Sequence, residues 1–164
     1  MDPATVTQRV ILPLLDEATA TQQPVDARTP PSGEAWHLHL VYLIGKVRAQ
    51  DSRARAFLYR CLNESPDVIL KGTAIQSIGW LYDSAAKTRF TDIALEDFTS
   101  LNLPTPLTQD ERTYLQQKAL DALYYIGDDE TVQRLQQRST GWSTELEIAF
   151  YRTVERILSR QNQQ

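Results

Sequence analysis

Apolar residues in this chain recur at intervals of three and four, not alternately, which is the spacing that lines one face of a helix. Val6, Val10, Ile11, Leu14, Leu15 and Ala18 form the first such set. Asp2-Pro3 opens it, a capping side chain followed by proline at the first helical position. Pro13 removes the N–H that would bond to residue 9, so a kink is expected there. Residues 19–33 carry Pro24, Pro30 and Pro31 with almost no large apolar side chain, and read as a long loop. From Glu34 the pattern is regular. Leu38, Val41, Leu43 and Ile44 predict a helix ending near Gly45 or in the turn after it. Asp51 is placed to cap a helix with Ala54, Phe57, Leu58, Cys61 and Leu62 on one face. Ser65-Pro66 reads as cap and first residue of the next, which runs through Ile69, Leu70, Ala74, Ile75, Ile78 and Leu81. Phe90, Ile93, Ala94, Phe98 and Leu101 follow, until Pro104 and Pro106 stop the run. Thr108 and Glu111 have capping-box spacing ahead of Leu115, Ala119, Leu120, Leu123 and Ile126. Gly127 is expected to close that helix in a left-handed cap. Asp128, Asp129 and Glu130 put negative charge at the start of a short helix with Val132 and Leu135. Thr144 and Glu147 read as a second capping box, leading into Ala149, Phe150, Val154, Ile157 and Leu158. With no sustained alternation and no Asn-Gly hairpin, the fold class is all-α.

Two of these helices share a register. Set beneath "QQKALDALYYIGD", the stretch "KGTAIQSIGWLYD" matches Ala74 to Ala119, Ile75 to Leu120, Ile78 to Leu123, Leu81 to Ile126 and Asp83 to Asp128, a spacing of 45 residues. A weaker copy stands 37 residues earlier, with Leu38, Val41 and Ile44 matched and Gly45 aligned to Tyr82 and Gly127. Such periods belong to two-helix solenoid repeats. The pattern from Ala119 to Leu135, "ALDALYYIGDDETVQRL", resembles HEAT repeats, especially the short HEAT-like repeats of the phycobilin-lyase type. The resemblance spans three or four units over most of residues 34–158. Lys71 stands where that family usually has arginine, Gln116 takes the corresponding place one unit on, and residues 102–108 form an irregular loop. The resemblance implies a curved stack of antiparallel helix pairs that serves as a scaffold for protein partners. The small residues Ala74, Ser77, Gly79, Ala119 and Ala122 would let such helices approach closely. The expected organisation is one domain over residues 1–164. Residues 1–18 form a capping helix and 34–158 a HEAT-like α-solenoid of about four helix pairs, with a flexible tail at 159–164.

Composition narrows the function. The chain has 164 residues, 41% hydrophobic and 23% charged, so neither disorder nor a fibrous class is favoured. No apolar run approaches the roughly 18 residues that span a bilayer, and Met-Asp-Pro-Ala-Thr lacks the basic and apolar segments of a secretory signal. The single cysteine, Cys61, excludes an internal disulfide and fits a reducing, cytoplasmic location. A formal charge of −4 argues against general nucleic-acid binding. Chemistry is sparse. His37 and His39, the two histidines, point about 200° apart on a helix and cannot share a metal. Cys61 shares an apolar face with Phe57 and Leu58, as a buried structural thiol would. Asp128, Asp129 and Glu130 lack the alternating ligands of a calcium loop. Glu96 and Asp97 diverge on a helix and read as a solvated face. No cofactor, metal or catalytic set is expected, and the chain reads as non-catalytic.

Two surfaces remain. The repeat register places Trp36, His39, Trp80, Asp121 and Tyr125 on the inner face of the stack, where recurring aromatics suit a protein partner. The alternative is a basic patch of Arg53, Arg55 and Arg60, part of a cluster that includes Lys46 and Arg48. The leading functional reading is a protein-binding scaffold, adaptor or regulatory protein. A lyase-like chaperone of tetrapyrrole attachment follows from the resemblance. An inhibitor or immunity-type binder of a toxic enzyme follows from a small acidic solenoid steered toward a basic target.

Overall fold

The computed structural model describes residues 2–20, 36–138 and 140–161, and every regular element among them is helical. The order is α1 (Pro3–Val6), a π turn (Thr7–Ile11), α2 (Leu12–Ala20), α3 (Trp36–Lys46), α4 (Ser52–Glu64), α5 (Val68–Trp80) and α6 (Lys87–Ala94), then α7 (Gln109–Ile126), α8 (Asp129–Leu135) and α9 (Thr144–Gln161). Short 3₁₀ turns at Ser84–Ala86 and Thr99–Leu101 flank α6. Helix covers residues 19 and 20, and residues 21–33 of the expected loop lie outside the described residues. At the other end α9 continues through Gln161, so residues 159–161 of the expected tail are helical, and 162–164 lie outside the described residues.

Local chemistry sets the helix starts. Asp2 accepts from Thr5 N–H at 3.0 Å ahead of Pro3, and Asp51 accepts from Arg53 N–H at 2.8 Å. The capping box at α7 is complete: Thr108 N–H donates to Glu111 Oε2 at 2.8 Å, and Glu111 N–H to Thr108 Oγ1 at 3.3 Å. Near Pro13 the helix accommodates the lost donor by widening into the π turn, where Leu12 N–H reaches back to Thr7 C=O. Three expected helix boundaries are corrected, two starts and one end. Asp67, not Ser65, caps α5, accepting from Ile69 and Leu70 N–H at 2.8 and 3.0 Å, while Ser65 Oγ accepts from Asp67 N–H in the turn before it. Ser143, not Thr144, stands ahead of α9, its hydroxyl facing Leu146 N–H at 3.4 Å. Gly127 is extended (φ −67, ψ 157) instead of left-handed. Its need is space, because a Cβ there would stand 2.5 Å from Ile157 Cδ1 and 2.7 Å from Leu123 O.

The left-handed turns fall on other residues. Arg48 (φ 54), Tyr82 (φ 57) and Glu96 (φ 71) close α3, α5 and α6. Each uses the same bonds: the residue after it reaches back five positions, Ala49 to Ile44, Asp83 to Ile78 and Asp97 to Asp92. This shared motif aligns Gly45 with Gly79 and corrects the expected alignment of Gly45 to Tyr82 by three residues. The 45-residue match of α5 to α7 agrees with burial, since Leu70, Ala74, Ile75 and Ile78 and their counterparts Leu115, Ala119, Leu120 and Leu123 are all fully buried. Burying a leucine or isoleucine this completely stabilises the fold by roughly 1.5–3 kcal/mol each.

Helices α3, α5, α7 and α9 each pack on the next. Between α5 and α7 the partner numbers climb in step. Tyr114 OH donates to Ile69 O at 3.2 Å, Lys118 Nζ to Gln76 Oε1 at 2.9 Å, and the Tyr82 and Tyr125 rings meet at 5.8 Å. The two helices therefore run parallel. Contact is close because a Cβ on Gly79 would lie 2.6 Å from Ala122 Cα. The same in-step progression joins α7 to α9, where Thr153 donates to Leu120 O at 3.0 Å and Arg160 to Gly127 O at 2.9 Å. On the other side, α2 packs on α4 and α6 on α8, with Arg134 pairing to Asp92 at 2.6 Å.

A buried polar position recurs between the rows. Lys71, with no exposed surface, donates from Nζ to Leu62 O near the end of α4 at 2.5 Å. Gln116, its counterpart in α7, donates to Ala94 O at the end of α6 at 3.0 Å. Both side chains satisfy carbonyls that a helix C-terminus leaves unbonded. Burial, with Arg89 adding repulsion, holds the Lys71 ammonium down at about 8.

Candidate functional site

Three of the five residues expected on the inner face come together. Trp80 from α5 and Asp121 and Tyr125 from α7 line a cleft of about 290 Å³, joined by Gln76, Tyr124 and Arg152 of α9. The parallel packing of α5, α7 and α9 creates it. Trp36 and His39 do not line it. Trp36 packs on the core and on His37, its ring centroid 4.1 Å from the imidazole, while His39 is exposed on α3. The three-residue register correction explains the split. A helix turns by about 100° per residue, so three residues move a side chain to another face. By cap geometry Trp36 corresponds to buried Leu70, whereas Tyr42 and Lys46 correspond to Gln76 and Trp80. Tyr42 and Lys46 do meet Trp80, at 5.5 Å ring to ring and 5.7 Å cation to ring. The Ile-Gly pairs Ile44-Gly45 and Ile78-Gly79 are the sequence signal for this register.

Cations cover the rings of this face. Arg48 lies over Tyr82 at 5.0 Å, Lys118 over Tyr114 at 5.6 Å, and Arg152 and Arg156 over Tyr124 at 5.8 and 5.5 Å. Asp121 is the acidic residue of the lining, and Arg152 binds it directly. Burial pushes the Asp121 carboxyl above the usual aspartate range, against the pull of Arg152 and Lys118. Trp80 is half-buried and stands outside the core cluster, whereas Tyr125 packs partly against that cluster.

The alternative basic patch is arranged differently. Arg53 faces Asp16 at 3.2 Å and Asp51 at 3.7 Å, Arg55 faces Asp83 at 3.6 Å, and Arg60 faces Glu64 at 3.9 Å while lying over Phe57. Asp83 also accepts from Tyr59 OH at 3.1 Å, and burial together with that carboxylate pushes the Tyr59 phenol up to about 12. Each arginine of the patch thus already has a carboxylate of its own chain.

Elsewhere the candidate groups are structural. Cys61 is fully buried, and desolvation pushes its thiol up to about 12. Asp128 caps α8, accepting from Thr131 N–H at 3.1 Å, and binds Lys87. Asp97 accepts from Thr99 N–H at 3.0 Å. Among the described residues no group of three or more His, Cys, Asp or Glu could hold a metal, and no helix is long and apolar enough to cross a membrane. No family model, curated protein or solved structure matches the chain.

Proposed function

We propose that this chain is a non-catalytic protein-binding module, an adaptor or regulatory protein, whose helices stack as a HEAT-like solenoid and dock a partner along the α5–α7–α9 face. The parallel, in-step packing of α3, α5, α7 and α9 and the alternation of the rows support the solenoid reading. The observation that carries the docking reading is the cleft itself. It brings Trp80, Tyr124 and Tyr125 together with Arg152, the residue types that dominate binding energy at interfaces. Three packed helices hold these side chains, so a partner need not order a loop in order to bind. A cytoplasmic setting fits the single buried cysteine.

The test compares capture from the native host by the wild type, by Trp80→Ala and by Arg53→Ala/Arg55→Ala, with bound proteins identified by mass spectrometry and affinity measured on the purified pair. Trp80→Ala should weaken binding by roughly 1–3 kcal/mol while the arginine variant retains it. Equal capture by the wild type and Trp80→Ala, with loss only in the arginine variant, would move the site to the other surface.

A further inference from the structure

We infer that the occupant of the α5–α7–α9 face is an acidic polypeptide segment, bound through carboxylates to Lys46, Arg48, Lys118 and Arg156. The inference rests on the docking reading above and specifies the chemistry of the partner. Its ground is a contrast in how the chain treats its cations. Arg53, Arg55, Arg60, Lys87, Arg134 and Arg138 each face a carboxylate of this chain. Of the described cations that face no carboxylate, Lys71, Arg89 and Arg160 are bound to backbone carbonyls, Arg112 lies over Phe98 and Arg9 stands in the π turn, which leaves Lys46, Arg48, Lys118 and Arg156. These four gather on one face of a chain whose formal charge is −4. Asp121, the carboxylate of the cleft, is already bound by Arg152 and so offers little repulsion to an incoming anion.

Ring geometry separates a peptide from a nucleic acid. A single strand binds by stacking its bases on open aromatic faces. Here Lys46 lies over Trp80, Arg48 over Tyr82, and Arg152 and Arg156 over Tyr124. The chain's own cations therefore occupy ring faces that bases would need. The same contacts hold the cations in place, which lowers the entropy lost when a carboxylate pairs with them. Tyr42 and Tyr82 are 45% and 49% exposed, so their hydroxyls can donate to the same segment.

Three fluorescein-labelled probes test this by anisotropy: a short peptide with Glu at every second position around a central Tyr, the same peptide with Gln for Glu, and oligo-dT of similar length. The Glu peptide should bind about tenfold or more tightly than the Gln peptide, and weaken steeply between about 50 and 300 mM NaCl. Lys118→Glu with Arg156→Glu should abolish the preference while the helical circular dichroism is kept, and Lys118→Arg with Arg156→Lys should preserve it. Equal binding of the Glu and Gln peptides, no binding of the Glu peptide, or tighter binding of oligo-dT would overturn the inference. The two readings fail separately. A natural partner lost by Trp80→Ala but indifferent to salt and to the charge reversals would leave docking standing and remove the acidic segment. A partner indifferent to Trp80→Ala would remove docking at this face.

Discussion

Lys71 gives the sharpest quantitative test of the packing between the two rows. Its ammonium is wholly buried and donates to Leu62 O, yet no carboxylate of the described residues pairs with it. Burial lowers the folded-state value from 10.5 to about 8. The unfolded chain thus binds the proton more tightly than the folded one, and between these values stability must rise with pH. The penalty is fully present below about 8 and gone above about 10.5, a span worth about 3 kcal/mol. Lys71→Met keeps the length and apolar stem but removes both the charge and the donor. At neutral pH the relief of the buried charge opposes the loss of the bond to Leu62 O, which costs about 1–3 kcal/mol, so the net change there is small. The slope is what separates the two proteins. Urea denaturation at intervals from pH 7 to pH 10.5 should show wild type gaining up to about 3 kcal/mol on Lys71→Met. Parallel stability curves for the two proteins would mean that the ammonium is solvated, and the reasoning would fail.

Gly79→Ala should destabilise by about 1–3 kcal/mol, because the new Cβ would meet the Ala122 backbone; an unchanged melting temperature would refute the close α5–α7 contact. Trp80→Ala should cost only about 1–2 kcal/mol of folding stability, the worth of its contacts with Tyr42 and Lys46. A loss of roughly 3–5 kcal/mol in urea titration would mark Trp80 as core instead. Cys61 should resist a thiol reagent at pH 8 in the folded protein and react once the chain is unfolded in urea, since its thiol sits at about 12; rapid labelling of the native state would contradict its burial.

Three helix starts were legible because they depend on neighbours in sequence, while those of α5 and α9 lie two residues after and one before the expected caps. Asp2, Asp51 and Thr108 cap the residues that follow them, and their spacing states the bond. Ends were harder to read. Arg48 and Tyr82 take left-handed turns without a glycine, whereas Gly127 is required by the closeness of Ile157 and not by its own backbone freedom. That misreading shifted the first unit by three residues and carried Trp36 onto the candidate face. The burial of Lys71 is not legible from its residue type, because lysine ordinarily keeps its charge in water, although its alignment with Gln116 carries the signal. The carboxylate partners of Arg53 and Arg55 could not be read at all. Asp16 and Asp83 stand 37 and 28 positions away in the chain, and only the folded packing brings them near.

The helix interfaces and the α5–α7–α9 face treat the chain's polar groups differently. Lys71 on Leu62 and Gln116 on Ala94 satisfy backbone carbonyls between the rows, and Ser77 on Val41 and Thr153 on Leu120 do the same between neighbouring helices of one row. These bonds leave no capacity for a ligand, since an unpaired buried group would cost more than the bond returns. On the α5–α7–α9 face Arg152 binds Asp121 and Lys118 bonds Gln76, but Lys46, Arg48 and Arg156 lie over aromatic rings and meet no carboxylate of the described residues. An exposed contact of that kind is worth only about 0.5–1 kcal/mol, and a carboxylate can pair with the cation while it stays over the ring. A carboxylate arriving from another chain therefore gains more from these cations than the rings lose. The same inequality is absent at Arg53, Arg55 and Arg60, where a newcomer must displace a carboxylate already in place. The difference between the two surfaces lies in the state of their charges, and counts of arginine and lysine alone do not reveal it.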